Sequence, residues 1–244
     1  MVSSMGVVAA RTAVVFGVLT VAAALALPSR LAAASPESVD QLTQRARAAK
    51  AHPARGAKVF AQQCAGCHGP QAEGAANLEI PVLAGQRFAY VVRQLASMAG
   101  DERENASMHP LFNEPELREP QTWADLAAYV TRAPVPRRRS IGDGTQLATG
   151  EAIFHLQCAS CHREDARGDD DGFVPSLRNQ HYTYLANQMI RLGRYDRHNA
   201  DENLARFLHS FNSDEQSAVA DYLARLRGPG PCAKAGAGKG SVPR

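Results

Sequence analysis

The sequence predicts an all-α protein built from two tandem, homologous units, and three observations carry that prediction. One constant offset of ninety-four residues relates the halves, pairing Gly56 with Gly150, Phe60 with Phe154, Pro81 with Pro175, Gln86 with Gln180, Tyr90 with Tyr184, Gln94 with Gln188, Arg103 with Arg197 and Asn105 with Asn199. Apolar residues recur at helical intervals, and no sustained apolar–polar alternation of strand type interrupts them. Each half also carries one Cys-x-x-Cys-His pentapeptide, Cys64-Ala65-Gly66-Cys67-His68 and Cys158-Ala159-Ser160-Cys161-His162. The closing segments Leu126-Ala127-Ala128-Tyr129 and Val219-Ala220-Asp221-Tyr222 match at ninety-three, so one net deletion separates the copies. Self-similarity at a fixed offset marks repeated structural units.

Taken in chain order, residues 1–34 read as a secretory signal. Arg11 precedes an apolar run from Thr12 to Leu27, and Ala32-Ala33-Ala34 supplies the small residues of a cleavage site, placed after Ala34. The run ends at Pro28 and falls short of the roughly twenty apolar residues that span a bilayer. Residues 35–53 form an N-terminal extension. The first unit, 54–133, carries helices over about 54–67, 87–99 and Thr122–Thr131, and Gly69, Pro70, Pro81 and Gly85 keep the segment after its pentapeptide a loop. A linker, 134–146, contains Pro134, Pro136 and the basic run Arg137-Arg138-Arg139. It reads as a solvated connection, with a docking patch for an acidic redox partner as the competing reading. The second unit, 147–228, repeats the helices over about 148–161, 181–194 and 213–226. For the last of these, Ser213 with Gln216 has capping-box spacing. Residues 229–244, rich in Gly, Ala and Lys, are expected to be disordered, and their Cys232 reads as an incidental free thiol.

The pentapeptides carry the chemistry. Cys-x-x-Cys-His is the spacing of covalent haem attachment: one helical turn brings both thiols to the vinyl groups of a single porphyrin, and the next residue sets an imidazole under the iron. His68 and His162 are the proximal ligands on this reading. A zinc ribbon wants its cysteine pairs about fifteen to twenty residues apart, and a thioredoxin-like dithiol wants alternating strands and helices. Neither pattern is present. Two covalently bound haem c groups are therefore expected, held by Cys64, Cys67, Cys158 and Cys161. Each repeat spans about eighty to ninety residues, small for an unaided core. Aromatic residues make up 6% of the chain and Trp123 is its one tryptophan, so the porphyrin is expected to fill the missing apolar centre.

Formal charge is +3 for the whole chain, and removing residues 1–34, with Arg11 and Arg30, leaves 25 basic against 24 acidic residues, or +1. Nothing concentrates into the basic face that phosphate binding requires, so nucleic acid is excluded as a partner. Asp169-Asp170-Asp171-Gly172 lacks the spaced ligands and distal Glu of an EF-hand and reads as a solvated loop.

Gly56 and Phe60 ahead of the first pentapeptide, Pro81-Val82-Leu83-Ala84-Gly85-Gln86 after it, then Tyr90, Gln94, Arg103, Asn105 and Leu126-Ala127-Ala128-Tyr129 carry a family likeness. Over roughly residues 54–228 the chain resembles the tandem dihaem class I cytochromes c of bacteria. The resemblance implies two small helical domains, each wrapped around one covalent haem and usually ligated by His and Met. It further implies a periplasmic location and electron transfer between redox protein partners, with peripheral membrane association through a partner left open. An electron carrier is the favoured reading over an enzyme, and no catalytic residue is singled out.

The two copies part at the sixth ligand. Met108, ahead of His109-Pro110, resembles the distal Met segment of the family, and Met98, on the second helix at core spacing, is its rival. Ninety-four residues beyond Met108 stands Glu202, and the family interval counted back from Tyr222 reaches Leu204. Met189, the repeat's one methionine, pairs with Leu95 at a core position. His198, His209 and His181 are the candidate substitutes, beside an open or water-bound iron. Met ligation raises haem potential relative to His, so unlike ligands would bias electron flow. An open second iron is the basis of the alternative reading, a redox enzyme or enzyme subunit.

Overall fold

The computed structural model describes Met1 and residues 37–136 and 140–228. Residues from Glu37 onward fall in one compact unit. Ten α-helices occur among the described residues: α1 (Val39–Ala48), α2 (Pro53–Val59), α3 (Ala65–His68), α4 (Phe88–Ala99), α5 (Pro120–Arg132), α6 (Leu147–Ile153), α7 (Ala159–His162), α8 (Tyr182–Gly193), α9 (Glu202–His209) and α10 (Ser213–Arg225). They include no strand, only two isolated antiparallel bridges, Ala75 with Ile80 and Asp169 with Val174, which themselves sit ninety-four residues apart.

Each half is organised by one helix crossing. Pro53 opens α2 and leaves no amide to satisfy at the first helical position. A Cβ on Gly56 would lie 2.0 Å from the Asp125 carbonyl oxygen of α5, and one on Gly150 would lie 2.1 Å from the Ala218 carbonyl oxygen of α10. Glycine at this offset is therefore the condition for backbones to touch. Behind each crossing a phenylalanine is fully buried against a tyrosine, Phe60 on Tyr129 with ring centroids 5.1 Å apart and Phe154 on Tyr222 at 5.7 Å. The first core adds Val92, Trp123, Leu126 and Val130; the second is smaller, with Leu185, Val219 and Leu223.

Two helices, a cap and the linker go beyond the sequence-based expectation. The N-terminal extension contains α1, closed by a capping box between Ser38 and Gln41 and burying Val39, Thr43 and Ala46. In the second half α9 precedes α10, and the first half has there the 3-10 turns His109–Asn113 and Pro115–Arg118. The cap of α10 is Asn212 with Glu215, one residue earlier than the Ser213–Gln216 pair; Asn accepts from two amides at once there, and Ser213 becomes the first helical residue. The linker is tied down beyond its basic run: Gly142 and Gly144 donate backbone N–H groups to the Asp221 carboxylate, both at 2.8 Å. Arg137-Arg138-Arg139, the signal segment and the tail with Cys232 lie outside the described residues.

The halves meet through reciprocal contacts. Arg87, just before α4, donates to the Arg167 carbonyl at 2.8 Å. His181, its repeat partner, occupies the matching place before α8 and donates from Nε2 to the Glu73 carbonyl at 3.0 Å. Asp170 accepts from the Ala89 amide at 2.9 Å and pairs with Arg87, so the acidic run is not wholly solvated: it caps the helix of the other half. Gln86 and Gln180, also repeat partners, each bond across the boundary to the backbone of the opposite loop.

Candidate haem centres

In both halves the approach to the pentapeptide is a π-helical turn, Phe60–Cys64 and Phe154–Cys158, the wide turn that recurs at functional sites. It delivers Cys64 and Cys158 half-buried and Cys67 and Cys161 exposed, all four unpaired. Burial, with the neighbouring thiol adding to it, pushes Cys64 up to about 11, and Cys158 rises to about 11 for the same two reasons. Both are therefore protonated thiols at neutral pH. Among the described residues no three His, Cys, Asp or Glu side chains gather as a metal ion would need.

His68 and His162 are set by the loops that follow them. His68 is 8% exposed, and its Nδ1–H donates to the Pro81 carbonyl oxygen at 3.3 Å. His162 donates to the Pro175 carbonyl oxygen at 3.1 Å. A carbonyl only accepts, so the proton sits on Nδ1 and the lone pair on Nε2, the tautomer an iron ligand requires. Burial pulls both imidazoles below their ordinary range, against the opposing effect of the proline carbonyls, and so favours the neutral form. Two thioether-forming thiols on one turn beside an oriented imidazole fit one covalent haem in each half.

The residue after each histidine lies at positive φ, Gly69 at 76° and Arg163 at 70°. Glycine accommodates that backbone without strain and arginine does not. The loops then fold back identically, Gly74 N–H to the His68 carbonyl at 2.8 Å and Gly168 N–H to the His162 carbonyl at 2.9 Å.

On the distal side the halves differ. Met108 is half-buried against the first core, at the start of the His109–Asn113 turn, where Asn105 accepts its backbone N–H through both its carbonyl and its side chain. Met98 is buried inside the core of α4. In the second half Glu202 is exposed at the first residue of α9, Leu204 is exposed, and Met189 packs against the core. His198, Glu202 and Arg197 line a cavity of about 150 Å³ together with Tyr195, Ala200 and Ala205. His209 donates from Nδ1 to the Gly193 carbonyl at 2.9 Å, tying α9 to the end of α8. His181 has both ring nitrogens engaged, accepting from Ser140 N–H at 3.2 Å as well as donating to Glu73.

A further cluster escaped the sequence reading, although each of its members stood out as a repeat match. Arg103 and Arg197 both donate to Gln94 Oε1 at 2.7 Å, Asn199 joins at 3.1 Å, and Arg197 also bonds the Tyr90 hydroxyl at 3.1 Å. Neither guanidinium has a carboxylate partner among the described residues. Burial pushes the Tyr90 phenol up, yet the charges of Arg197 and Arg103 and the Arg197 hydrogen bond together hold it below its ordinary value.

Comparison with known proteins agrees with this geometry. The cytochrome c family matches residues 147–227, and the family of cbb3-type cytochrome c oxidase subunit III matches residues 51–130. The chain is 30% identical over 198 residues to the thiosulfate dehydrogenase electron acceptor of Stutzerimonas stutzeri, covering 76% of this chain and 90% of that protein. The chain belongs to the tandem dihaem class I cytochromes c. As a dihaem cytochrome it carries two covalent haems, at Cys64/Cys67 and Cys158/Cys161, and transfers electrons. Cytochrome c4 from Pseudomonas stutzeri shares the fold of this cytochrome, with a TM-score of 0.64 at 23% identity over 73% of this chain and all of that one. Thiosulfate dehydrogenase (TsdBA) from Marichromatium purpuratum gives a TM-score of 0.63 at 25% identity, over 72% of this chain and 40% of that one.

Proposed function

We propose that this cytochrome is an exported, periplasmic electron acceptor for a dehydrogenase that oxidises a small inorganic sulfur anion. The reading rests on likeness to an electron acceptor of thiosulfate dehydrogenase across a stretch that contains both haem sites. Among the described residues no helix is long and apolar enough to cross a membrane. Haem iron, when bound, supplies one-electron ferric–ferrous chemistry.

The chain's residues have separate duties. Four thiols fix the haems, and His68 and His162 offer Nε2 while the proline carbonyls hold their rings. Met108 would supply the sixth ligand in the first half. In the second half His198 is the first candidate substitute, since it borders the same cavity as Glu202, the counterpart of Met108, and His209, whose Nδ1–H is held by the Gly193 carbonyl as those of His68 and His162 are held by prolines, is the second. Arg103 and Arg197, charged and without carboxylate partners, would hold the carboxylates of the haems. A thioether on one iron and an imidazole on the other would make the first haem the stronger oxidant.

Stopped-flow mixing of the oxidised cytochrome with thiosulfate dehydrogenase and thiosulfate tests the partner assignment. Reduction of both haems within the enzyme's turnover time is expected, and no reduction above the rate with thiosulfate alone removes it. For the ligands, carbon monoxide should bind neither reduced haem of the wild type and one haem per chain in Met108→Ala and in His198→Ala. Binding in the wild type would leave the second iron open and discard His198.

A further inference from the structure

The peptide group between Pro81 and Val82 is held at both ends. Its carbonyl oxygen accepts from His68 Nδ1–H at 3.3 Å, and its N–H, on Val82, donates to Gln180 Oε1 at 2.9 Å. The glutamine amide returns a bond from Nε2 to the Val82 carbonyl at 2.9 Å. Gln180 belongs to the other half of the molecule. The arrangement recurs in reverse: Pro175 accepts from His162 at 3.1 Å, Ser176 N–H on the same peptide donates to Gln86 Oε1 at 2.8 Å, and Gln86 Nε2 donates to the Ser176 carbonyl at 3.0 Å.

Both glutamines are buried, at 9% and 5% exposure, and neither amide is free to turn. Each Oε1 also accepts the next residue's backbone N–H, Arg87 at 2.8 Å and His181 at 2.9 Å. Because each Nε2 faces a carbonyl and each Oε1 faces N–H groups, the amide orientation is fixed by its partners. Simple adhesion between the halves would be served by a bond to any backbone group. These bonds land on the two peptides whose other ends carry the proximal histidines.

We propose that Gln86 and Gln180 are crossed positioning residues, each tuning the proximal histidine, and hence the potential, of the haem in the opposite domain. The inference rests on the haem reading above. A peptide whose N–H is bonded to a strong acceptor shifts electron density onto its carbonyl oxygen, so hydrogen bonds on its two ends strengthen one another. A stronger carbonyl acceptor draws the Nδ1 proton and makes the imidazole a better donor to ferric iron. That donation lowers the potential of the iron it serves. Each domain thereby sets part of the redox poise of its neighbour through three hydrogen bonds and no shared ligand.

The test is redox titration of the two-haem protein in Gln180→Met and Gln86→Met, which keep side-chain length and remove the amide. The haems are counted per chain first, so that loss of haem, which would sink the haem reading itself, is separated from loss of coupling. Haem-methyl proton resonances assign each potential to its domain. Gln180→Met should raise the potential of the haem held by Cys64 and Cys67 with a smaller shift at the other haem, and Gln86→Met should do the reverse. A shift confined to the mutated domain, an equal shift of both haems, or none overturns the proposal. Should either variant fail to fold, the wild type decides. In the fully reduced, isotope-labelled protein a through-hydrogen-bond coupling between the Val82 amide nitrogen and the Gln180 side-chain carbonyl carbon supports the linkage, and its absence refutes it.

Discussion

Arg163 and Gly69 stand at the same place in the two repeats, directly after the proximal histidine, with nearly the same φ and with ψ near 155°. That backbone region is natural to glycine, and a side chain in it costs on the order of 1–3 kcal/mol. Arg163 reaches Asp169 at 3.3 Å, but a pair with both partners partly in solvent returns about 0–1 kcal/mol. Arg163→Gly is therefore expected to raise stability by about 1 kcal/mol, read as a higher urea midpoint at unchanged slope. The reverse holds at the helix crossings. Gly150→Ala forces a methyl against the Ala218 carbonyl, and a loss of about 2 kcal/mol is expected in the same assay, with little loss refuting the tight crossing. These glycines were legible from the sequence as repeat matches. Their cause was not, since the residues they touch lie about seventy positions further along the chain.

Helix ends govern the next level. The first amides of α4 receive no cap from their own half; Asp170 of the other half accepts from Ala89 N–H, so Asp170→Ala should cost about 1 kcal/mol, typical of a lost N-cap. Amide exchange would localise that loss to the first turn of α4. Asp125, fully buried, gathers His52 N–H at 2.7 Å, Gln121 at 2.9 Å and the Arg55 guanidinium. Asp125→Ala leaves the His52 N–H and the Arg55 guanidinium without this acceptor, while Gln121 keeps the Lys50 carbonyl, and should cost about 2–3 kcal/mol. The longer helices were legible because their apolar faces repeat at helical intervals. The Ser38–Gln41 signature of α1 was equally present but belonged to no repeated segment. The second half replaces the turns after Met108 with α9, so the offset that aligned everything else could not predict it.

For the molecule as a whole, the offset of ninety-four announced two domains, and the family likeness announced their contents. The interface was illegible for a physical reason: it is made of single polar contacts, from loops and from isolated positions on α4 and α8, which leave no periodic trace, and only their pairing in space gives them meaning. Since the reciprocal bonds bury the amides of both halves, separate unfolding would strand polar groups on the half left folded. One cooperative urea transition is expected. Trp123 fluorescence reports the first half, and the amide resonances of α10 report the second. Coincident midpoints are expected, and a gap between them would mean that the domains unfold independently.

The crossed glutamines have one more consequence. A contact in which residue i meets j and the counterpart of j meets the counterpart of i is what two identical chains form across a dyad. Here Gln86 meets Ser176 and Gln180 meets Val82, and Val82 and Ser176 are themselves counterparts. The tandem chain thus keeps within one molecule the geometry of a symmetric dimer, with the linker replacing dilution by an effective concentration on the order of millimolar. Freed from the need to be identical, the halves could diverge at the position of Met108 while the dyad between them stayed closed.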